Sequence, residues 1–219
     1  LFEITKIGTF AWHQQSSQMQ KILPTFKSIA LTAVSALFLV FLLQKVGVWG
    51  EVSSAGQSVV MSTGALDIQP ESSKDEPAKK DFDFNFAIKT TAGARINFDQ
   101  FKGKVVFLNL WATWCGPCKA EMPGIQHLYE KMDTSKVVFV MLSIDKEGAQ
   151  AKINDYVRKN KFTFPVFMPS GYLSEQLQVP SIPTTFVINR EGKIEMKKVG
   201  TANYDTEKFR QYLTDLAQQ

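Results

Sequence analysis

The chain has 219 residues, of which 44% are hydrophobic and 12% aromatic, enough for one compact domain with a segment to spare. Its net charge of +4 is dispersed, without a basic stripe interleaved with aromatics, which argues against nucleic-acid binding. The 2 cysteines lie within one short motif, so they cannot staple distant elements together, and a disulfide scaffold is excluded.

The first element is apolar. Ile29 to Leu43 reads IALTAVSALFLVFLL and carries no charge. As a helix it spans about 22 Å, short of the roughly 30 Å hydrocarbon core of a bilayer. Continuing through Val46, Val48 and Trp49 completes the length and brings in Gln44 and Lys45. A lysine near a helix end can snorkel to the interface, and Trp49 then sits in the aromatic belt. Lys21 and Lys27 precede the run, whereas Glu51, Asp67 and Glu71 follow it. By the positive-inside rule residues 1–28 stay cytoplasmic and the remainder is exported. We therefore expect a transmembrane anchor at residues 29–49. A cleaved signal peptide is the rival, with Ser53-Ser54-Ala55 as its small-residue site. A buried core helix is disfavoured, because a basic tail and a polar linker give it nothing to pack against. Met19, followed by Gln20 and Lys21, would make a natural start for an export signal, so residues 1–18 are expected to be an upstream extension.

Residues 50–80 are rich in Ser, Gly, Lys and Glu, with Pro70 and Pro77, and read as a linker with a reach of roughly 30 Å. The folded domain is expected over residues 81–219. Phe82, Phe84, Phe86 and Ile88 alternate with polar or small residues, the period of a half-buried strand. Thr91-Ala92-Gly93 turns the chain, and Ile96 and Phe98 alternate back, which predicts a hairpin. Val105 to Trp111 is a near-continuous apolar run, as in a strand covered on both faces. Ile125, Leu128, Tyr129 and Met132 follow with helical spacing. Val137 to Ile144 predicts a second buried strand, Ala149 to Asn160 a helix, and Phe164 to Phe167 a short extra strand. Thr184 to Asn189 and Ile194 to Val199 predict a hairpin about Arg190-Glu191-Gly192-Lys193. Phe209, Tyr212, Leu213 and Leu216 mark a closing helix. Alternating strands and helices imply parallel pairing with right-handed crossovers, and the late hairpin adds antiparallel strands. The expected fold is an α/β sandwich with a mixed central sheet.

The cysteines fall where a buried strand hands over to a helix, in Trp111-Ala112-Thr113-Trp114-Cys115-Gly116-Pro117-Cys118. Redox work and metal binding are the chemistries open to such a pair. A thiol at a helix N-terminus faces unpaired backbone N–H groups and the positive end of the helix dipole, which favour the thiolate. Cys115 is thus expected to be the exposed nucleophile. Cys118, one turn later on the same face, is within reach to resolve a mixed disulfide. Gly116 permits a tight turn into the helix, and Pro117 gives up an N–H that needs no helical partner.

This motif after a hydrophobic strand resembles the thioredoxin superfamily. Pro123 matches its helix-kinking proline, and Ile182-Pro183-Thr184 matches its cis-proline loop, which the resemblance places beside the cysteines. The N-terminal anchor, the leading hairpin, the run from Asn109 to Trp114 and the insert around 146–180 are similar to the TlpA/ResA branch. That likeness implies a membrane-anchored thiol–disulfide oxidoreductase facing the periplasm or cell exterior, with no bound cofactor. Its partners would be protein disulfide or dithiol clients and a membrane electron-donor protein, with cytochrome c maturation a typical client pathway. Where cytoplasmic thioredoxins carry a buried Asp, this chain has Asn109, and an amide cannot take a proton from the resolving thiol. Glu121, three residues beyond Cys118, is the best substitute; the competing reading is an acidic residue complementing the helix dipole. Trp111 is expected to pack and Trp114 to border the partner surface. His127 is expected on a helix surface, and His13 lies outside the domain.

A copper relay using the same thiolates is the main rival from another class. Copper carriers of this fold usually add a late-loop histidine, and neither His here lies there. A peroxidase would need a distant resolving cysteine. Within disulfide chemistry Gly116-Pro117 resembles the reducing end of the scale, against an oxidase alternative.

Overall fold

The structure, a computed structural model, describes residues 80–219 together with 64, 66–68 and four residues nearer the N-terminus. Those four, Val34, Ser35, Phe38 and Phe41, are helical and form part of a unit separate from residues 50–219. The rest of the expected anchor at 29–49 and the segments 1–28 and 69–79 lie outside the described residues. Among the described residues no helix is long and apolar enough to cross a membrane.

Seven strands form one mixed sheet. They are β1 (Ala87–Thr90), β2 (Arg95–Asn97), β3 (Val105–Trp111), β4 (Val137–Ser143), β5 (Val166–Pro169), β6 (Thr184–Ile188) and β7 (Ile194–Val199). Three helices accompany them: α1 (Gly116–Lys131), α2 (Gln150–Lys159) and α3 (Glu207–Leu216). The spatial order is β2-β1-β5-β4-β3-β6-β7. Strand β3 is central, parallel to β4 and antiparallel to β6. Both crossovers, β3–α1–β4 and β4–α2–β5, step the same way across the sheet. Right-handed connections that step in one direction put their helices on one face. Accordingly Met122, Ile125 and Leu128 of α1, Ile153 of α2 and Phe209 and Leu213 of α3 share a core with Phe107, Trp111 and Phe139. Asp205 ties α1 to α3 by accepting from Lys131 (2.9 Å) and Arg210 (2.7 Å).

Among the described residues the opposite face carries no long helix. Val106, Leu108 and Leu110 meet Phe82, Phe84, Phe98 and Leu177 there. This is where the expected elements change most. The strand predicted from Phe82 begins only at Ala87, because residues 82–86 form no ladder and instead pack Phe82 and Phe84 against Val106 and Leu108 of the sheet. Phe98 stacks on Phe86 at 4.5 Å and opens a 3-10 turn (Phe98–Phe101) instead of extending β2. The extra strand expected at 164–167 lies at 166–169, since Phe164 stacks on Phe162 before the chain reaches the sheet. In the β6–β7 turn Gly192 has φ +82°, and a Cβ there would also come within 3.2 Å of the Phe84 ring. Within the segment read as a linker, Ile68 is buried in the helix-side core. Its N–H donates to the Asn203 carbonyl at 3.1 Å, and the Asn203 N–H to Leu66 at 2.7 Å.

Candidate active site

Strand β3 ends at Trp111, and a short loop delivers Cys115 to the N-cap of α1. Asp145, just past β4, holds that loop. Its carboxylate accepts from the Thr113 N–H (2.8 Å), the Thr113 hydroxyl (2.6 Å) and the Ser143 hydroxyl (2.8 Å). Cys115 and Cys118 are joined as a disulfide with their Cα atoms 5.3 Å apart. The Cys118 N–H points at the Cys115 sulfur at 3.1 Å, so the first turn of α1 spends one of its unpaired donors on this atom. Gly116 and Pro117 open the helix, and Pro123 lies inside it.

The expected exposure of Cys115 is slight: 6% against 0% for Cys118. The Ile182–Pro183 peptide is cis, and the Ile182 carbonyl oxygen lies 3.8 Å from Cys115 Sγ. A groove of about 430 Å³ begins at this spot, walled by Trp114, Ile144, Leu177, Val179 and Ile182. Trp114 is 61% exposed, whereas Trp111 is fully buried and packs on Tyr156.

Beneath the disulfide lies a buried carboxyl. The alternation of β3 turns Phe107, Asn109 and Trp111 to the helix side, and α1 sets Glu121 above Asn109. Asn109 Nδ2 donates to Glu121 Oε1 at 2.8 Å, and the Ala202 N–H donates to Oε2 at 3.2 Å. Burial pushes the Glu121 pKa up to about 8, against the pull of these two hydrogen bonds and the Lys198 charge. A carboxyl serving only the helix dipole would lie in solvent at the first turn; Glu121 faces the sheet with no exposed surface. His127 stands apart, half-exposed and 3.2 Å from Asp205. Among the described residues no group of three His, Cys, Asp or Glu could hold a metal ion.

The structure thus brings together Trp114, Cys115, Gly116, Pro117, Cys118, Ile182 and Pro183, with Glu121 below. Sequence reasoning missed Asp145, Thr185, Tyr204 and the Ala202 N–H. Thr185 was within reach of it: two residues past Pro183 on an alternating strand, it faces the side Asn109 faces once β6 is paired with β3.

The sequence profile of the AhpC/TSA family, thioredoxin-like proteins, matches residues 80–197, more than half of the chain. The chain belongs to the AhpC/TSA family. Sporulation thiol-disulfide oxidoreductase A of Bacillus subtilis (strain 168) is 37% identical over 118 residues, covering 52% of this chain and 70% of that protein. Thiol-disulfide oxidoreductase ResA of the same organism is 34% identical over 118 residues, 53% of this chain and 65% of the relative. In fold the family member resembles a solved thiol-disulfide isomerase from Corynebacterium glutamicum at TM-score 0.52 and 16% identity, over 64% of this chain and 97% of that one. It also resembles a thiol:disulfide interchange protein of the thioredoxin family from Chlorobium tepidum, at TM-score 0.50 and 23% identity, over 63% and 99%. These last two likenesses bear on the fold alone, and they agree with the mixed sheet described above.

Proposed function

We propose that this chain, a thiol–disulfide oxidoreductase, reduces protein disulfides on the outer side of a bacterial cytoplasmic membrane. The observation that carries the reading is the Cys115–Cys118 pair at the N-terminus of α1, its first sulfur 3.8 Å from the Ile182 carbonyl oxygen of the cis-proline loop. In the reduced protein the Cys115 thiolate attacks one sulfur of a client disulfide. The client S–S bond breaks, the other client sulfur leaves as a thiolate, and a mixed disulfide forms. Cys118 then gives up its proton, its thiolate attacks Cys115 Sγ, and the second client sulfur is released. The client gains two electrons and the protein ends as the disulfide seen here. Glu121, buried and with a raised pKa, takes the Cys118 proton. Trp114, Ile182 and Pro183 border the client.

The location rests on the sequence: an uncharged run at 29–43 with lysines before it and carboxylates after it. Val34, Phe38 and Phe41 add exposed apolar side chains at helical spacing. A membrane electron-donor protein would restore the dithiol, and apocytochromes c are the clients the TlpA/ResA likeness favours. The copper relay is the second reading, and the thiolate pair alone favours it.

Equilibrating the full chain with thiol–disulfide buffers, with the pair followed by alkylation, tests the direction. A potential near or below about −230 mV is expected of a reductant. A value near about −120 mV makes the protein an oxidase, and a pair that holds copper but does not exchange makes it a relay.

A further inference from the structure

Four polar side chains meet between β3, β6 and α1 with no exposed surface: Asn109, Glu121, Thr185 and Tyr204. Asn109 Nδ2 donates both to Glu121 Oε1 at 2.8 Å and to Thr185 Oγ1 at 2.9 Å. The Tyr204 hydroxyl donates to Thr185 Oγ1 at 2.8 Å. Asn109 Oδ1, by contrast, is buried and has no hydrogen-bond partner.

This pattern suits an ionised Glu121, because both carboxylate oxygens accept. A neutral Glu121 needs an acceptor for its proton, and neither neighbour of the carboxyl presents one in this arrangement: the Ala202 N–H only donates, and the amide shows its NH2. A half turn of the Asn109 amide exchanges Oδ1 and Nδ2 without changing the shape of the side chain. Oδ1 then accepts from the Glu121 hydroxyl and from the Thr185 hydroxyl, while Tyr204 still donates to Thr185. Each hand leaves one amide atom unpaired, so the network is not locked to one protonation state of the carboxyl. A fully satisfied network would be.

We propose that Asn109 is a positioning residue whose amide turns over with the protonation of Glu121, so that this carboxyl is hydrogen-bonded both before and after it takes the proton of Cys118. The inference rests on Cys118 resolving the mixed disulfide. In that step the Cys118 S–H proton passes to the Glu121 carboxylate. The freed electron pair forms the bond to Cys115 Sγ, and the bond from Cys115 to the client breaks, releasing the client thiolate. Below its pKa Glu121 keeps the proton in the oxidised protein, and when the pair is reduced again Cys118 leaves as a thiolate and takes it back. The charged and titratable groups about Glu121 are few: Cys118 three residues before it on α1, Lys198 on β7, whose charge pulls the Glu121 pKa down, and Tyr204, whose own ionisation is pushed far up by burial and then by the Glu121 charge. Strands β3 and β6 contribute only Asn109 and Thr185, which do not titrate. Burial and hydrogen bonding together place Glu121 near about 8, so both hands are populated close to neutral pH.

The test is an NMR titration of the oxidised full chain in detergent micelles, with carboxyl-labelled Glu and side-chain-amide-labelled Asn. The Glu121 carboxyl carbon is expected to titrate with a midpoint near about 8, and the Asn109 NH2 signals to move with the same midpoint. Asn109 signals that stay fixed while Glu121 titrates overturn the proposal. Asn109→Leu, which removes both hands, is expected to raise the Glu121 midpoint by about one pH unit, because the carboxylate loses the stronger, charge-assisted bond. An unmoved midpoint in that variant overturns it too. If the variant fails to fold, the co-titration in the unsubstituted protein decides. Thiol exchange is read separately on the same sample. A pair that does not exchange brings down the oxidoreductase reading and this proposal with it, whereas intact exchange beside an indifferent Asn109 brings down only the latter.

Discussion

Glu121 exchanges stability for a usable proton, and the exchange has a definite sign. Its folded pKa is raised to about 8 from an ordinary value of 4.5, so between these two values the folded protein binds more protons than the unfolded chain. Stability is then greatest below the unfolded value and falls as pH rises towards the folded one, by at most about 1.4 kcal/mol per pH unit. Glu121→Gln, which keeps the shape without the charge, is expected to abolish this slope. Urea midpoints of both oxidised proteins at about pH 5 and pH 8 should show the unsubstituted chain losing stability and the variant holding it. Parallel slopes would mean that Glu121 ionises as readily in the folded protein as in the unfolded chain, so that its pKa is not raised and it is no proton store. How much of this was legible in the residues is instructive. Cys115, Cys118 and Pro183 announce themselves by local motif, and Glu121 by its one-turn spacing from Cys118. Asp145 and Tyr204 act only through pairings made across the fold, Asp145 standing 32 positions after Thr113, and no local pattern points to them.

Among the elements, strands flanked on both sides were the easiest to read. Val105–Trp111 and Val137–Ser143 are continuous apolar runs because both of their faces are covered. The leading hairpin was harder. An alternation of Phe with polar residues marks an extended chain with one buried side, yet it does not say whether backbone partners lie beside it. Phe82, Phe84 and Phe86 meet the pattern without a ladder, because their rings close over the sheet around Phe98 at centroid distances of 5.6, 5.8 and 4.5 Å. Phe98 is thus the pivot that replaces a helix on this face. Phe98→Ala is expected to cost roughly 3–5 kcal/mol, as for other fully buried aromatics. The loss should be felt first in residues 82–101, as faster amide hydrogen exchange there than in α1. Uniform loss of protection across the domain would show that the hairpin does not open as a unit.

At the scale of the molecule, the segment at 66–68 links the outer part of the chain to the chemistry. Ile68 is buried in the helix-side core, and Leu66, Asp67 and Ile68 all bond Asn203: backbone to backbone at 2.7 and 3.1 Å, and the Asn203 side chain to Asp67 at 2.6 Å. Asn203 is flanked by Ala202, whose N–H donates to Glu121, and by Tyr204, whose hydroxyl donates to Thr185. A residue more than fifty positions before Glu121 in sequence therefore buttresses the loop that holds its carboxylate. Composition alone assigns this stretch to a linker, since three pinned residues in a polar run leave no periodic signature. Ile68→Ala is expected to cost about 2 kcal/mol through the cavity it leaves. It should also raise the Glu121 titration midpoint, because the Ala202 hydrogen bond, which lowers that pKa, loses its support. The two effects separate two roles. A lower urea midpoint with an unchanged Glu121 titration would make Ile68 a plug in the core and nothing more. If both move, the segment through which the domain emerges from its N-terminal part also sets how readily the buried carboxyl takes a proton.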